Sequence, residues 1–439
     1  MHKNSPRLKK TFIGGGLQQL VASTAIAAGG NGVMMLISAV SGIMTVRFLS
    51  TQEYAFFTIA VVACQALQQL ADSGATVAAA NEARKNWTSP THLGVSIASG
   101  RKVRRKFYPI ILALAALTLL FLLTNSGATL VQASLIIILI IPVSLIMMQI
   151  GLLNIPIYLH QRMAWLQGSI FCSESIKLVG VVGLVRLFPY SFTCLFGMAL
   201  GLIAQVLFLR KGGKDLVDPK SQPDPKLVKN IRGVVKEMRP VVFYTCFSGY
   251  ISVWLASFFG ATEDVASVGG LYRLTGLMTL GATLFGLVIA PRYSRNTDTS
   301  LLRKRFNLSV LLLAMTATAI TTPFLLFPQV PLFLLGNGYE HLDVELRIAC
   351  IGGGLGVLYA GLHALALGRG NTVRPWTYLS TSIAWQVMLI LSLDISSLQG
   401  ILWVGTLTPL PNILFYFFTS RIGIKKEELA AAKIAAAEF

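Results

Sequence analysis

The sequence predicts an all-α polytopic membrane protein with twelve transmembrane helices, arranged as two six-helix lobes that are parallel repeats, with both termini in the cytoplasm. Three observations predict this class. Of the 439 residues, 54% are hydrophobic and only 13% are charged, whereas a soluble domain has about a quarter charged residues. Twelve apolar runs are long enough to cross a bilayer as helices. Finally, 32 of the 37 Lys and Arg residues fall on one side of those spans.

The predicted spans follow one another along the whole chain, and their even number places both termini on the same side. A spanning helix needs about 20 mainly apolar residues. The runs that satisfy this condition lie near residues 30–48, 53–78, 107–124, 128–154, 166–187, 190–209, 241–259, 266–290, 307–328, 346–367, 377–393 and 398–419.

The basic residues are concentrated in alternate connections between these spans, and the positive-inside rule therefore makes that face cytoplasmic. The opposite connections are mostly short and carry acidic residues. A net charge of +19 also raises the question of nucleic-acid binding. Because the basic residues lie in loops between spans, we expect them to set orientation and to contact anionic lipid headgroups, and we expect no nucleic-acid partner. The protein is predicted to be a multi-pass membrane protein.

The longest break in apolarity, residues 210–239, is rich in basic residues and indicates a cytoplasmic linker. We therefore predict an N-terminal six-helix lobe over 1–210, a linker over 211–239, a C-terminal lobe over 240–422 and a cytoplasmic tail over 423–439. The two halves match at an offset of 211 residues, which predicts lobes related by an axis along the membrane normal. The matches pair Phe48, Thr51, Glu53, Ala55, Val77, Ala79, Arg84 and Trp165 with Phe259, Thr262, Asp264, Ala266, Val288, Ala290, Arg295 and Trp376.

Five basic residues, Arg47, Lys177, Arg186, Arg273 and Arg347, do not belong to the cytoplasmic set. A charge at the bilayer centre costs about 2.5 to 3.5 kcal/mol, so such residues face protein or water. Arg273 has no acidic residue within one helical turn, and its planar donors suit phosphate oxygens. It is a candidate anchor for an anionic substrate. The alternatives are pairing with a distant carboxylate and snorkelling to the interface.

Two further predicted spans contain charged residues. Glu174 and Lys177 are three residues apart in the fifth span, so they share a helix face and predict a local ion pair. Desolvation of such a pair favours a water-filled cavity beside this helix. Asp72 lies in a polar patch of the second span, which indicates either an interhelical hydrogen-bond cluster or a cavity wall or proton site. Arg47, Arg186 and Arg347 lie near span ends and are expected at the interface.

No pattern typical of an enzyme is present, and the protein is predicted not to be one. The five histidines are scattered, and the sequence has no HExxH, Walker or CxxC motif. The five cysteines all lie in apolar segments, with spacings that predict neither disulfides nor a zinc site. We therefore expect no cofactor, with coupling to proton or sodium movement left open.

Two stretches of the first half carry a family likeness. Residues 47–57 (RFLSTQEYAFF) and 70–74 (LADSG) resemble the opening pattern of polysaccharide-biosynthesis membrane proteins, approximately R-x-L-x-x-x-x-Y-G followed by D-x-G. Ala55 stands where that pattern has Gly. In the second half, residues 333–339 (FLLGNGY) and 368–371 (GRGN) resemble the loop before their tenth helix and the turn after it.

The family is that of lipid-linked oligosaccharide flippases of the O-antigen (Wzx) type, within the multidrug/oligosaccharidyl-lipid/polysaccharide exporter superfamily. The resemblance implies a multi-pass flippase of the bacterial inner membrane that moves undecaprenyl-diphosphate-linked oligosaccharides from the cytoplasmic to the periplasmic leaflet for lipopolysaccharide assembly. It implies two lobes around a cationic cavity, with roles for Arg47 and Asp72. A glycan polymerase and a chain-length regulator are candidate partners.

The hypothesis is alternating access between the lobes, with a substrate-binding cavity formed by Arg273, Lys177, Arg47, Asp72 and Glu174. A diphosphate brings about two negative charges, which Arg273 with Lys177 or Arg47 would meet. The alternative is a cation-coupled multidrug exporter that uses Asp72 or Glu174 as its coupling carboxylate. A membrane-embedded glycosyltransferase or polymerase is disfavoured because the long extracytoplasmic loops that such an enzyme needs are missing from the prediction.

Overall fold

The computed structural model describes residues 11–294, 299–369 and 375–437. Within these ranges the chain forms helices and short connections, with no strand. The helices are α1 (Thr11–Phe48), α2 (Thr51–Asp72), α3 (Ala75–Arg84), α4 (Pro90–Asn125), α5 (Leu130–Leu159), α6 (Met163–Gly180), α7 (Ser191–Gly212), α8 (Pro225–Ser248), α9 (Ile251–Phe259), α10 (Thr262–Gly276), α11 (Thr279–Ser294), α12 (Thr299–Leu326), α13 (Gln329–Leu335), α14 (Asp343–Gly368), α15 (Pro375–Ser392), α16 (Leu398–Leu407) and α17 (Leu410–Ala437).

Each of the twelve predicted spans corresponds to one helix or to consecutive helices separated by a short break. By length and composition, nine helices of the described ranges suit a membrane span, and the pair α8 and α9, bent by 60°, makes a tenth. The other two predicted spans are the broken pair α10 and α11, and α15. The fifth span continues from α6 through a π-helical turn, Val181–Val185.

Several helices extend well beyond the apolar runs. The third span was predicted from residue 107, but α4 begins at Pro90, where the Ser89 side chain caps it by accepting a hydrogen bond from the His92 amide. α8 begins at Pro225, inside the predicted linker, and α17 continues through most of the predicted tail to Ala437. Hydropathy marks the part of a helix in the bilayer, whereas backbone hydrogen bonding continues into the cytoplasm until a break or cap ends it.

The helix boundaries repeat at the offset seen in the sequence. α1 and α9 end at Phe48 and Phe259, and the next helices, α2 and α10, begin at Thr51 and Thr262. In both cases the two positions are 211 residues apart. Arg295 of the predicted repeat lies outside the described residues, as do part of the 368–371 motif and the predicted cytoplasmic cations Lys3, Arg7, Lys9, Lys10 and Arg374.

The seventh span packs against both halves of the bundle. The cytoplasmic half of α8 buries Val228, Ile231 and Val235 against α3 and α4 of the first half. Beyond the 60° bend, α9 packs against α10 and α16 of the second half. The segment before α8 is also fixed to the first half, because the Asp218 amide donates to the Pro90 carbonyl (3.1 Å).

A bidentate ion pair anchors the same segment on the cytoplasmic face. Arg162, between α5 and α6, donates two hydrogen bonds to the carboxylate of Asp215, at 2.9 and 2.6 Å. Mainly through the hydrogen bonds from Arg162, the pKa of the Asp215 carboxyl lies below its usual value. The connection between the halves is therefore folded onto the first half.

Candidate functional site

Glu174 and Lys177 form the predicted ion pair on α6. The Lys177 ammonium donates to the Glu174 carboxylate at 2.8 Å, and about one fifth of each side chain is exposed (20% and 21%). Close packing of α6 on α7 positions the pair, because an added Cβ at Gly201 would lie 3.4 Å from the Lys177 Cβ. At 1.5 Å per residue, Lys177 lies about 12 Å from the extracytoplasmic end of the span.

Arg273 reaches from α10 of the second half into the first half. Its side chain lies against Gly42 of α1, where an added Cβ would be 3.0 Å from the Arg273 Cδ. The guanidinium carbon is 5.7 Å from the centre of the Phe57 ring of α2, a distance typical of a cation–π contact. Within the ranges that the structure describes, Arg273 makes no hydrogen bond or ion pair.

The two cations belong to one electrostatic cluster. Arg273 is near enough to Lys177 for the two positive charges to repel each other, and its charge also acts on Cys194 of α7. Glu174 balances Lys177. Arg273, Lys177 and Glu174 together carry a net charge of +1, with Arg273 at the junction of the two halves. The Glu53 carboxylate of α2 also acts on Cys194, and it accepts hydrogen bonds from the Ser191 amide (2.7 Å) and the Gln132 side chain (3.3 Å).

The structure does not bring Asp72 to this cluster. Asp72 ends α2, fifteen residues beyond Phe57, which is about 22 Å along the helix. Its carboxylate forms an ion pair with Arg104 and accepts hydrogen bonds from the amide (3.1 Å) and hydroxyl (2.6 Å) of Thr76. Of the two interpretations of Asp72 from sequence, this geometry matches the interhelical polar cluster.

Arg104, the ion-pair partner of Asp72, was counted in the sequence analysis among the basic residues of the cytoplasmic loops. Its placement in a loop is wrong. Arg104 lies inside α4 with only 4% of its surface exposed. It also donates to the Met148 carbonyl of α5, so it ties α2, α4 and α5 together. The apolar run that starts at residue 107 gave no sign that the helix and its burial begin earlier. The sequence did offer one signal, because Val103 directly precedes Arg104 and Tyr108 follows it one helical turn later. Both residues are buried.

Arg47 is also separate from the cluster and joins the halves at the extracytoplasmic surface. Its guanidinium donates to the carbonyls of Leu334 (2.8 Å) and Phe333 (2.6 Å) at the end of α13. These are carbonyls that the end of a helix leaves without helical partners. Two weaker contacts join the halves on the same side: Asn125 with the Ser257 carbonyl (3.5 Å), and Thr262 with the Ser126 carbonyl (3.1 Å). The extracytoplasmic ends of the halves are therefore held together.

The interior of the second half contains an aromatic cluster that the sequence analysis did not predict. His363 of α14 packs edge-on against Tyr416 of α17, with ring centres 4.9 Å apart, and stacks on Tyr359 at 6.1 Å. Tyr244 of α8 meets Tyr378 of α15 edge to face at 6.2 Å. The residues come from four helices, so no local sequence pattern connects them.

A cavity of about 550 Å³ lies nearby in the same half. Its lining includes Tyr272, Thr275, Thr279 and Thr406 and has no charged residue. The break between α10 and α11 opens onto it, since Gly276 and Thr279 both belong to the wall. The described residues contain no group of three His, Cys, Asp or Glu side chains placed to hold a metal ion. The second half therefore contains an uncharged cavity with several hydroxyl groups in its wall.

These features define the class: a multi-pass α-helical membrane protein with two six-helix lobes, a charged cluster at their junction and a shared extracytoplasmic closure. No protein-family model matches the sequence, and no curated protein matches it. Solved structures do. An inward-facing multidrug resistance MATE family transporter of the MOP superfamily superposes with a TM-score of 0.67 at 14% identity, over 90% of this chain and 95% of that chain.

Two further structures support the same fold. The outward-facing form of a multidrug resistance MATE family transporter gives a TM-score of 0.61 at 14% identity, covering 93% of this chain and 96% of the other. A eukaryotic MATE transporter gives 0.64 at 13% identity, covering 94% of this chain and all of the other. The chain therefore has the MATE fold, which confirms the prediction of twelve helices in two parallel six-helix lobes.

Proposed function

We propose that this protein is a transporter that works by alternating access and carries a cargo with an anionic group, which binds at Arg273 and Lys177. The observation that carries the proposal is the position of Arg273. It forms no ion pair or hydrogen bond among the described residues, and it projects from one lobe against Gly42 and Phe57 of the other. A phosphate between Arg273 and Lys177 would remove their mutual repulsion and form charge-assisted hydrogen bonds.

We propose as the cargo a polyprenyl-diphosphate-linked oligosaccharide, which the sequence motifs favour. The diphosphate supplies the negative charge, the glycan needs an uncharged polar space, and the polyprenyl chain remains in lipid. Glu174 keeps Lys177 compensated when no cargo is bound. In this proposal the protein acts in a bacterial inner membrane and works with a glycan polymerase and a chain-length regulator.

The contacts at the extracytoplasmic side are consistent with a cycle of this kind. Arg47 and the contacts of Asn125 and Thr262 hold that side closed. The TM-score is also higher for the inward-facing than for the outward-facing MATE structure, 0.67 against 0.61. In the proposed cycle, cargo enters from the cytoplasmic leaflet in this state, and release requires these extracytoplasmic contacts to separate.

The test is translocation of the lipid-linked glycan in proteoliposomes, measured as the fraction that a glycosidase added outside can reach. We expect Arg273→Gln to abolish protein-dependent translocation while the purified protein keeps its thermal stability. Arg186→Gln is the matched control, because Arg186 is an exposed arginine at the end of the fifth span. Unchanged translocation by Arg273→Gln would remove the anchor from the proposal.

A second candidate, a cation-coupled multidrug exporter, is favoured by the solved structures, because two of them are multidrug resistance transporters. An exporter fits these neighbours better than a flippase does. The charges argue the other way, because Asp72 and Glu174 are both paired with basic residues. Uptake of an organic cation into inside-out vesicles, driven by a proton or sodium gradient and abolished by Glu174→Gln, would establish the exporter.

A further inference from the structure

A long apolar groove lies between the lobes, apart from the charged cluster. It has a volume of about 760 Å³ and is bounded by α2 and α4 of the first lobe and by α8 and α9 of the seventh span. Its walls include Leu67, Leu114, Phe243 and Trp254. Leu114 and Phe243 are well exposed, 63% and 59%, so the groove is open along its side.

The cytoplasmic end of this groove carries a positive charge. Arg239 belongs to the lining, is half-buried, and stacks its guanidinium 3.7 Å from the centre of the Phe107 ring. In the part of the chain that the structure describes, no carboxylate forms an ion pair with Arg239. Two exposed lysines, Lys106 and Lys236, lie one and three residues away from Phe107 and Arg239 in sequence. Glu237 is also exposed, two residues before Arg239, but forms no ion pair with it. The mouth therefore carries an arginine without an ion-pair partner among the described residues, and most of the remaining lining is apolar.

We propose that the groove binds an anionic phospholipid of the cytoplasmic leaflet, with its phosphate at Arg239 and an acyl chain along α4. Basic pockets between spans on the cytoplasmic side suit anionic headgroups. The dimensions also fit. The lining on α4 runs from Phe107 to Leu119, about 18 Å of helix, and one leaflet of a bilayer contributes about 15 Å of hydrocarbon.

The location gives the lipid a conformational role. Ser73, at the break between α2 and α3, belongs to the lining, and the walls come from both lobes. A lobe movement that carries α9 away from α2 and α4 would take the groove apart at its Trp254 end. A lipid that binds only the assembled groove stabilises the present, extracytoplasmically closed arrangement by its differential affinity. The site does not include Arg273 or Lys177. The amount of lipid retained by the purified protein measures its occupancy without a transport assay.

Native mass spectrometry of the full-length protein in detergent tests the headgroup, with phosphatidylglycerol and phosphatidylcholine as probes. We expect one retained phosphatidylglycerol and about tenfold weaker retention in Arg239→Gln, the effect of losing a charge-assisted hydrogen bond. Arg210→Gln, at the cytoplasmic end of α7, is the matched control and should retain the lipid. Equal retention of phosphatidylcholine, or full retention of phosphatidylglycerol by Arg239→Gln, would overturn the proposal.

Fluorescence tests the location of the chain. Phosphatidylglycerol brominated on its acyl chains should quench Trp254, and the difference between the wild type and Trp254→Phe isolates this signal from the other five tryptophans. In Arg239→Gln the quenching should require about tenfold more brominated lipid. Arg239→Lys keeps the charge and should behave closer to the wild type. Quenching that does not depend on Arg239 would indicate ordinary annular lipid and would contradict a specific site.

Discussion

Arg273 of one lobe lies directly over Gly42 of the other, with only enough room for the arginine stem where a side chain at position 42 would stand. The helices α10 and α1 therefore approach each other across a charged side chain. This relationship places Arg273 at the lobe junction, and its side chain loses the contact with Gly42 if α1 moves away. In the proposed function, cargo binding at Arg273 is therefore coupled to lobe movement.

The glycine at position 42 provides a test that leaves every charge in place. We expect Gly42→Leu to displace the Arg273 side chain and to weaken cargo binding about tenfold, corresponding to ~1.4 kcal/mol. Binding of the lipid-linked glycan to purified protein measures this. Gly32→Leu on the same helix is the control, since an added Cβ there meets nothing within 4 Å. Equal losses of cargo affinity in both variants would mean that any larger side chain on α1 weakens binding, whatever its distance from Arg273.

The pair of Glu174 and Lys177 should show coupled stability. Removing one partner leaves a poorly solvated charge, so we expect Glu174→Gln and Lys177→Gln each to cost about 1–3 kcal/mol. The double variant should recover part of that loss, because neither charge remains, yet it should still bind cargo less well than the wild type. Thermal unfolding of all four proteins gives the interaction energy. Additive losses would show that the two groups do not interact.

Asp72 and Arg104 are expected to matter for folding rather than for cargo. Asp72→Asn leaves the buried Arg104 guanidinium without its counter-ion, and we expect a loss of about 3–5 kcal/mol in the free energy of unfolding. Asp72→Asn combined with Arg104→Met should restore much of this stability. The readout is thermal stability alongside cargo affinity. An Asp72→Asn protein that is fully stable but inactive would instead point to a proton site.

Arg47 should control the extracytoplasmic closure. Arg47→Ala removes two hydrogen bonds to α13, so the lobes should separate more readily on that side. Leu49→Cys, at a position buried beside Arg47, should then react several-fold faster with a membrane-impermeant maleimide in a background with Cys172→Ser. Arg347→Ala, an exposed residue near the start of α14, is the control. Equal reaction rates in the two variants would show that Arg47 does not hold the extracytoplasmic side closed.

Local patterns in the sequence predicted their structures well. Twelve apolar runs gave twelve spans because hydropathy measures what a bilayer requires of each segment on its own. The pairing of Glu174 with Lys177 followed from helix geometry, since residues three apart share a face. The repeat offset was also accurate to the residue at Thr51 and Thr262. Each of these inferences needed only information within one segment or a comparison of two.

The missed features all depend on how distant helices are rotated against one another. Asp72 and Arg104 are 32 residues apart on separate helices, and nothing in either segment specifies that they face each other. The same holds for Arg47 and the carbonyls of α13, which lie nearly 290 residues further along the chain. Even for Arg273 the sequence indicated the lack of a local partner but not its position between Gly42 and Phe57.

The bent seventh span places the boundary between the two lobes inside a membrane span rather than in a loop. The α8 arm packs mainly on the first lobe and the α9 arm mainly on the second, so rocking of the lobes would bend the chain between Ser248 and Ile251, where α8 and α9 meet at 60°. These residues would then act as the hinge between the lobes. The stiffness of these few residues would set how far, and how fast, the two lobes can swing.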